Sequence, residues 1–479
     1  MQITINTGTA NTKTIPDLLE EMGYSLPCNC HGGHHCDGKN YPFDCSLVPK
    51  EPMTISLPDS PQKTLQGIAL EDRITVPGPA DTLLIDLGTT TIALALIDRS
   101  TGDVRQTLVF PNPQRQYGSD VIARIHASLH GKRSQLKHMV TEALTHQVSA
   151  LCQKNHQSLS GLSRCFIAGN TAMIHLLMGY DCTPLSRSPF LLEQASPGPF
   201  YYKDCKIYVL PWFSAFVGGD ITAGMYACHM EVSPSCGKAA SLLIDLGTNG
   251  EMLLCHKGCY YSTATAAGPA FEGNGLSCGC PGIPGAISRV RLMPLRPALT
   301  TIDHRLPVGL CGSGAISICA ELLRQGYVTK EGILTDRFPA GGILLGYSPS
   351  RTALYFLPED FRHIQLSVAA IAAGIDTLAR EADISPADIS SVYLGGGFGF
   401  YLEPDACERL GLFSSIPASH IRPMGNTCLR GLFRYACHTE DTPLPSPPST
   451  HIVSLADYPY FQKQFISHMT YPGKPGDPM

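Results

Sequence analysis

The chain has 479 residues, 43% of them hydrophobic and 16% charged, a globular balance that excludes fibrous and disordered classes and allows about two to four domains. A formal net charge of −5 argues against a general nucleic-acid or anionic-membrane binder. No apolar run reaches the ~18 residues of a membrane span, and the opening MQITINTGTA lacks the basic and apolar blocks of a leader, so a cytoplasmic protein with no membrane or nucleic-acid partner is expected.

Charge and cysteine are unevenly spread. Residues 1–60 hold three basic side chains (Lys13, Lys39, Lys50) and seven acidic ones (Asp17, Glu20, Glu21, Asp37, Asp44, Glu51, Asp59), so nearly all the negative excess lies there. The 19 cysteines are odd in number, which favours reduced thiols or metal ligands over a disulfide framework. Cys165, Cys182, Cys205, Cys319 and Cys437 stand singly among apolar or mixed neighbours and are expected in the core.

In chain order, QITINTG predicts a strand, TIPDLLEEMGYSLP an amphipathic helix with Ile15, Leu18, Leu19 and Met22 on one face, and MTISLP a second strand after a cysteine-rich loop. A small β-rich domain is placed at residues 1–60, and the polar, Pro- and Gly-containing stretch 61–80 is a linker. From residue 81, apolar strands alternate with helical segments, the pattern of an α/β protein. LLIDLGTTTIALALI (83–97) returns as LLIDLGTNGEMLL (242–254), with Asp86 and Asp245 159 residues apart. That interval is too long for a solenoid repeat and predicts two similar lobes, 81–240 and 241–437, each with a strand–Gly turn–strand unit. The Pro-rich TPLPSPPST (442–450) predicts a loop, and ADYPYFQKQFISHMTYP a last helix within 438–479.

The repeated D-L-G-T turns carry chemistry. Gly88 and Gly247 let backbone N–H groups approach a phosphate, while Thr89, Thr90, Thr248 and Asn249 add neutral donors. Asp86 and Asp245, at strand ends, can hold Mg²⁺ through water. A third glycine loop, Gly395, Gly396 and Gly397, follows the apolar strand SVYL. One such turn is most often a plain hairpin; two copies and a third loop are hard to dismiss as that. GLCGSGA before an apolar helix is either a further anion site or a close-packing turn. The polar cluster NPQRQYGSD offers Gln114, Arg115 and Asp120 to the cleft, and Asp120 is kept as a third candidate catalytic carboxylate. Asp220, in VGGD, reads equally well as a helix N-cap.

These three loops, in this order, resemble the superfamily of acetate and sugar kinases, Hsp70 chaperones and actin. The runs NPQRQYGSDVIARI (112–125), GNTAMIHLLMG (169–179), GPAFEGNGLSCGCPGIPGAI (268–287), GLCGSGAISICAELL (309–323), IQLSVAAIAAGI (364–375) and GNTCLRGL (425–432) narrow the resemblance to its ferredoxin-linked branch, the reductive activators of corrinoid proteins. The resemblance implies two actin-like (ribonuclease H-like) lobes preceded by a small β-grasp ferredoxin-like domain, with the Asp–Gly loops on the phosphates of ATP and the late glycine loop on its adenosine.

Cys28, Cys30, Cys36 and Cys45 lie close together with His31, His34 and His35, and their spacing alone suits a [2Fe–2S] cluster and zinc about equally. The resemblance favours [2Fe–2S]. Its pattern has Pro-Cys, five residues, Cys, two residues, Cys; here Cys30 and Cys36 follow Pro27-Cys28 and Lys39 takes the remaining position, so either Cys30 replaces the third ligand or the site is altered. Cys278 and Cys280 are too tightly spaced for the usual metal pair and are read without metal.

The expected function is an ATP-hydrolysing activator that passes single electrons to a corrinoid protein or corrinoid-dependent methyltransferase, returning Co(II) to Co(I) with electrons from a separate donor; a homodimer is one open assembly. The alternatives are a small-molecule kinase and a nucleotide sensor without turnover.

Overall fold

The computed structural model describes residues 2–5, 53–56, 82–98, 102–118, 120–155, 158–188, 190, 192, 197–202, 204–231, 239–396, 401–437, 449–456 and 458–472; the four N-terminal cysteines, the first predicted helix, the linker and Gly397 lie outside the described residues. The chain divides into two units, Met1–Lys63 and Thr64–Met479. In the first, β1 (Gln2–Ile5) pairs antiparallel with β2 (Met53–Ser56), Gln2 opposite Ser56 and Ile5 opposite Met53.

The second unit opens with a meander of β3 (Thr82–Leu87), β4 (Thr91–Asp98) and β5 (Asp103–Pro111). Helices α1 (Val121–Ala127) and α2 (Arg133–Lys154) cross to β6 (Arg164–Gly169), which runs parallel beside β3 and leads into α3 (Thr171–Met178). The hairpin β7 (Phe200–Tyr202) and β8 (Cys205–Val209) completes a sheet of order β5-β4-β3-β6-β8-β7, and α4 (Gly219–Ala227) leaves it. On α2, Leu136, Val140, Leu144, Val148 and Leu151 recur at helical spacing and form the buried stripe.

The chain then repeats the plan with β9 (Ala240–Leu246), β10 (Gly250–His256) and β11 (Cys259–Thr265). Two pieces not foreseen in the sequence follow: a small sheet of β12 (Ala286–Arg291), β13 (Ala298–Thr301) and β14 (Gly309–Leu310), and, after α5 (Gly312–Arg324), a hairpin of β15 (Ile343–Tyr347) and β16 (Ala353–Phe356). The long α6 (Pro358–Glu381) leads to β17 (Ile389–Gly395), then α7 (Pro404–Leu410), β18 (Ile421–Gly425) and α8 (Thr427–Cys437). Finally β19 (Thr450–Ile452) adds a parallel edge to β11, giving the order β18-β17-β9-β10-β11-β19, and α9 (Pro459–Ser467) packs on α6. The two sheets share one plan, an antiparallel meander extended by parallel strands from its first member, the doubled ribonuclease H-like topology.

Strand parity decides where the core and the site sit. Leu83, Ile85 and Leu87 face the outer core of the first lobe, and Leu242, Ile244 and Leu246 that of the second. Leu84 and Leu243 face the opposite way, into a shared core with α4 and α8 between the sheets. Both β3 and β9 therefore need apolar residues on their two faces, which is why these runs read as unbroken Leu and Ile. α4 and α8 approach closely: a Cβ on Gly431 would stand 1.7 Å from the Ala223 carbonyl oxygen. Arg434 of α8 donates to the Tyr226 carbonyl at 2.6 Å and pairs with Glu231.

Gly431→Ala is expected to push α8 off α4 and destabilise the chain by about 1–3 kcal/mol, read as a lowered thermal midpoint; an unchanged midpoint would mean that the helices are not in this contact.

Candidate functional site

The parity that builds the shared core also builds the site. Asp86 lies two residues beyond Leu84, and Asp245 two beyond Leu243, so both carboxylates belong to the inner faces, at the strand ends where the two Gly turns begin. Glu251 is directly opposite Asp245 in the β9–β10 ladder and is buried. Asp220, in the first turn of α4, completes a group of four.

Their charges act on one another. Burial raises the Asp245 carboxyl to about 7 from its ordinary 3.8, with Asp86 and Glu272 pushing the same way. Burial also raises Asp86, opposed by hydrogen bonds from Asn426 and Cys428. Asp220 is raised by burial and then by Asp245, although its Oδ1 accepts from the Ile221 N–H at 2.9 Å. Glu251 is raised by burial, Asp220 and Asp245, and is hydrogen-bonded to Asp220.

Three asparagines fix the first Gly turn. Asn426 caps α8 through its Oδ1, which accepts from the Leu429 N–H at 2.7 Å, and its Nδ2 crosses from the second lobe to donate to Asp86 Oδ2 at 2.8 Å. Asn170 caps α3 in the same way, accepting from Met173 N–H at 2.9 Å and donating to Thr89 Oγ1 at 2.9 Å. Asn112 donates to the Gly88 carbonyl at 2.9 Å. Asn170 and Asn426 both stand in Gly-Asn-Thr triplets that follow strands β6 and β18, a second internal repeat visible in the sequence but missed there.

The two turns meet at Glu272. Its Oε2 accepts from Thr90 Oγ1 at 2.6 Å, and its Oε1 accepts from the Thr248 N–H at 2.9 Å and Thr248 Oγ1 at 3.1 Å. In the second turn, Gly247 N–H donates to the Asn249 carbonyl at 3.3 Å. Gly395 packs against Thr427, and Gly396, at φ +86°, runs past Asp245, where a Cβ would lie 2.9 Å from Oδ1. The sequence therefore pointed to both turns and to Asp86 and Asp245, and left Asp220 open between this group and a helix cap, while Glu251, Glu272 and Asn426 escaped it. An acid inside the apolar strand GEMLLCH was the available signal for Glu251.

Asp120 stands apart from this group in role: its Oδ1 accepts from the Ala123 N–H at 2.8 Å and caps α1. It also supports the charge on fully buried Arg124, whose pKa burial lowers to about 10. Gln114 is buried and donates to the Leu136 carbonyl at 2.9 Å, whereas Arg115 is exposed. Cys278 and Cys280 flank a bridge to Leu310, with Cys280 N–H donating to the Leu310 carbonyl at 3.0 Å; burial pushes both thiols up to about 12. Cys165, Cys182, Cys319 and Cys437 are buried, and Cys205 is half-buried.

Oxygen donors of this kind suit a hard cation such as Mg²⁺. Among the described residues no three His, Cys, Asp or Glu side chains converge to ligate an ion directly. Also among the described residues, no helix is long and apolar enough to cross a membrane.

A carboxyl raised from 3.8 to about 7 binds more protons in the folded chain than in the unfolded one between those values. Asp245 thus contributes stability that is full at low pH and lost as pH rises through about 7. The thermal midpoint of the chain without nucleotide or Mg²⁺ is expected to fall between pH 5 and pH 8, and Asp245→Asn to flatten that fall; an equal slope in the variant would contradict the burial of this charge.

Comparison with known proteins agrees with this geometry. The profile of the C-terminal domain of RACo, the ASKHA domain, matches residues 239–479, and that of the RACo middle region matches residues 82–233. The corrinoid activation enzyme RamQ of Eubacterium limosum is 27% identical over 421 residues, covering 81% of this chain and 70% of that protein. The Co(II) methylated amine-specific corrinoid protein reductase of Methanosarcina barkeri is 24% identical over 389 residues, covering 72% and 68%. A solved structure of a reductive activator for a corrinoid iron–sulfur protein superposes with a TM-score of 0.73 at 28% identity, over 83% of this chain and 67% of that one. With a domain profile spanning just over half of its length and a second covering most of the rest, the chain belongs to the RACo family.

Proposed function

We propose that this chain is an ATP-driven reductive activator that returns the Co(II) of a corrinoid protein to Co(I). The observation that carries the reading is the meeting of two phosphate-type turns and their strand-end acids, Asp86 and Asp245, on the inner faces of two lobes, in a chain whose relatives are named as corrinoid activators and reductases. Thr89, Thr90, Thr248, Asn249 and the amides of Gly88 and Gly247 receive the phosphates, and Gly395, Gly396 and Gly397 let the backbone pass close to the nucleotide. Asp86 and Asp245 would hold Mg²⁺ through its water shell, and a cation there would favour the charged form of two carboxyls that burial raises. Asp220, hydrogen-bonded to Glu251, is placed to orient a water at the terminal phosphate, and Asp120 acts by holding the charge of Arg124.

In the N-terminal unit, Cys28, Cys30, Cys36 and Cys45 are the proposed ligands of a [2Fe–2S] cluster, which when bound supplies one-electron carriage. The donor chemistry fits: four thiolates within one segment are the soft ligands such a cluster takes. The acidic charge of residues 1–60 steers this unit toward a basic patch on an electron donor or on the corrinoid protein. ATP does not carry the electron; it biases a protein state. A bias of about 5.5 kcal/mol corresponds to roughly 0.2 V for a one-electron couple.

Two measurements test the reading. Anaerobically purified chain is expected to carry about two irons and two acid-labile sulfides, lost on Cys28→Ser with Cys45→Ser; zinc in their place would contradict the electron-carrying role. Asp245→Ala is expected to lower ATP turnover by about a hundredfold or more, and undiminished turnover would remove Asp245 from the metal site.

A further inference from the structure

Resting on that nucleotide reading, we propose that Glu272 is an internal stand-in for phosphate: its carboxylate occupies the donors of both Gly turns, ties the two lobes together without nucleotide, and is displaced when ATP binds. Thr90 belongs to the first lobe and Thr248 to the second, and both give their hydroxyl hydrogens to this one carboxylate, with the Thr248 N–H as a third donor. A hydroxyl–N–H set converging on two oxygens of one anion is what a phosphate group would find there.

Independent features describe the same anion site. The fully buried Arg124 guanidinium interacts electrostatically with Glu272, and its Nη2 has no hydrogen-bond partner. A Cβ on Gly247 would lie 3.1 Å from Glu272 Oε1, so the turn is closed tightly around this carboxylate. Glu272 ends a single 3₁₀ turn, Pro269–Glu272, between Gly268 at φ +81° and Gly273 at φ +75°. Its short turn is anchored at one end by Gly268 N–H donating to the Thr248 carbonyl at 3.0 Å, so removing Glu272 from the donors changes the segment that touches the second turn. Phosphate entry therefore exchanges a contact that spans both lobes for contacts with the ligand, and the lobes are freed to close on ATP. No bond is made or broken in this exchange.

The competition predicts its own signature. Glu272→Ala and Glu272→Gln, measured by calorimetry on the full chain, should each bind ATP and ADP about tenfold more tightly than the wild type, because the carboxylate no longer has to be displaced. Adenosine, which brings no phosphate, should bind the wild type and both variants alike. ATP binding equal to or weaker than that of the wild type, where the wild type binds well, overturns the stand-in and makes Glu272 an ordinary structural or ligand-binding side chain. An equal gain for adenosine overturns it as well, since the effect would then be on the whole cleft. Absence of ATP binding in the wild type and both variants would overturn the nucleotide reading together with it.

Discussion

The crowding of four desolvated carboxylates between the two sheets, one buried and three half-buried, is the constraint around which this fold is arranged. Asp86, Asp220, Asp245 and Glu251 are brought together from both lobes, each with its carboxyl raised by burial and most by one another. Holding such a group together is costly, and positive charge is its electrostatic complement. The shared core of α4 and α8 holds the acids in place.

The internal symmetry explains how one ligand can act on both lobes. Each half offers a Gly turn after its first strand and a Gly-Asn-Thr triplet after a parallel strand, and the asparagine of each triplet caps the helix that follows while reaching the first turn. The first lobe's turn is therefore held by both halves of the molecule. Any change in the spacing of the lobes is felt at Asp86 through Asn426, and at Thr90 through Glu272. The close approach of α8 to α4 at Gly431 packs the two helices of the shared core tightly.

Much of this was legible in the amino acids. The repeated LLIDLGT run marked the doubled architecture, and strand parity alone places Asp86 on the face of Leu84 and Asp245 on the face of Leu243. What escaped was non-local. Glu272 reaches Thr90 across 182 residues and Asn426 reaches Asp86 across 340, separations over which no local pattern speaks. The two inserted sheets, β12–β14 and β15–β16, were also missed, because most of their strands are short and none has a sustained alternating pattern. Asp120, singled out among polar neighbours, caps a helix, whereas Asp220, equally readable as a cap, stands among the acids. A polar residue before a helix has the same appearance in both roles; only the tertiary neighbours separate them.

On the proposed function, ATP drives electron delivery to cobalt. Mixing the anaerobic chain, a chemical reductant and a Co(II) corrinoid protein from cells that make this chain, and following the visible spectrum with and without ATP, tests this directly. The Co(I) spectrum is expected to develop with ATP and Mg²⁺ and to fail to develop when either is withheld. Equal formation of Co(I) without ATP, or none with it while ATP is hydrolysed, would rule out ATP-driven reduction.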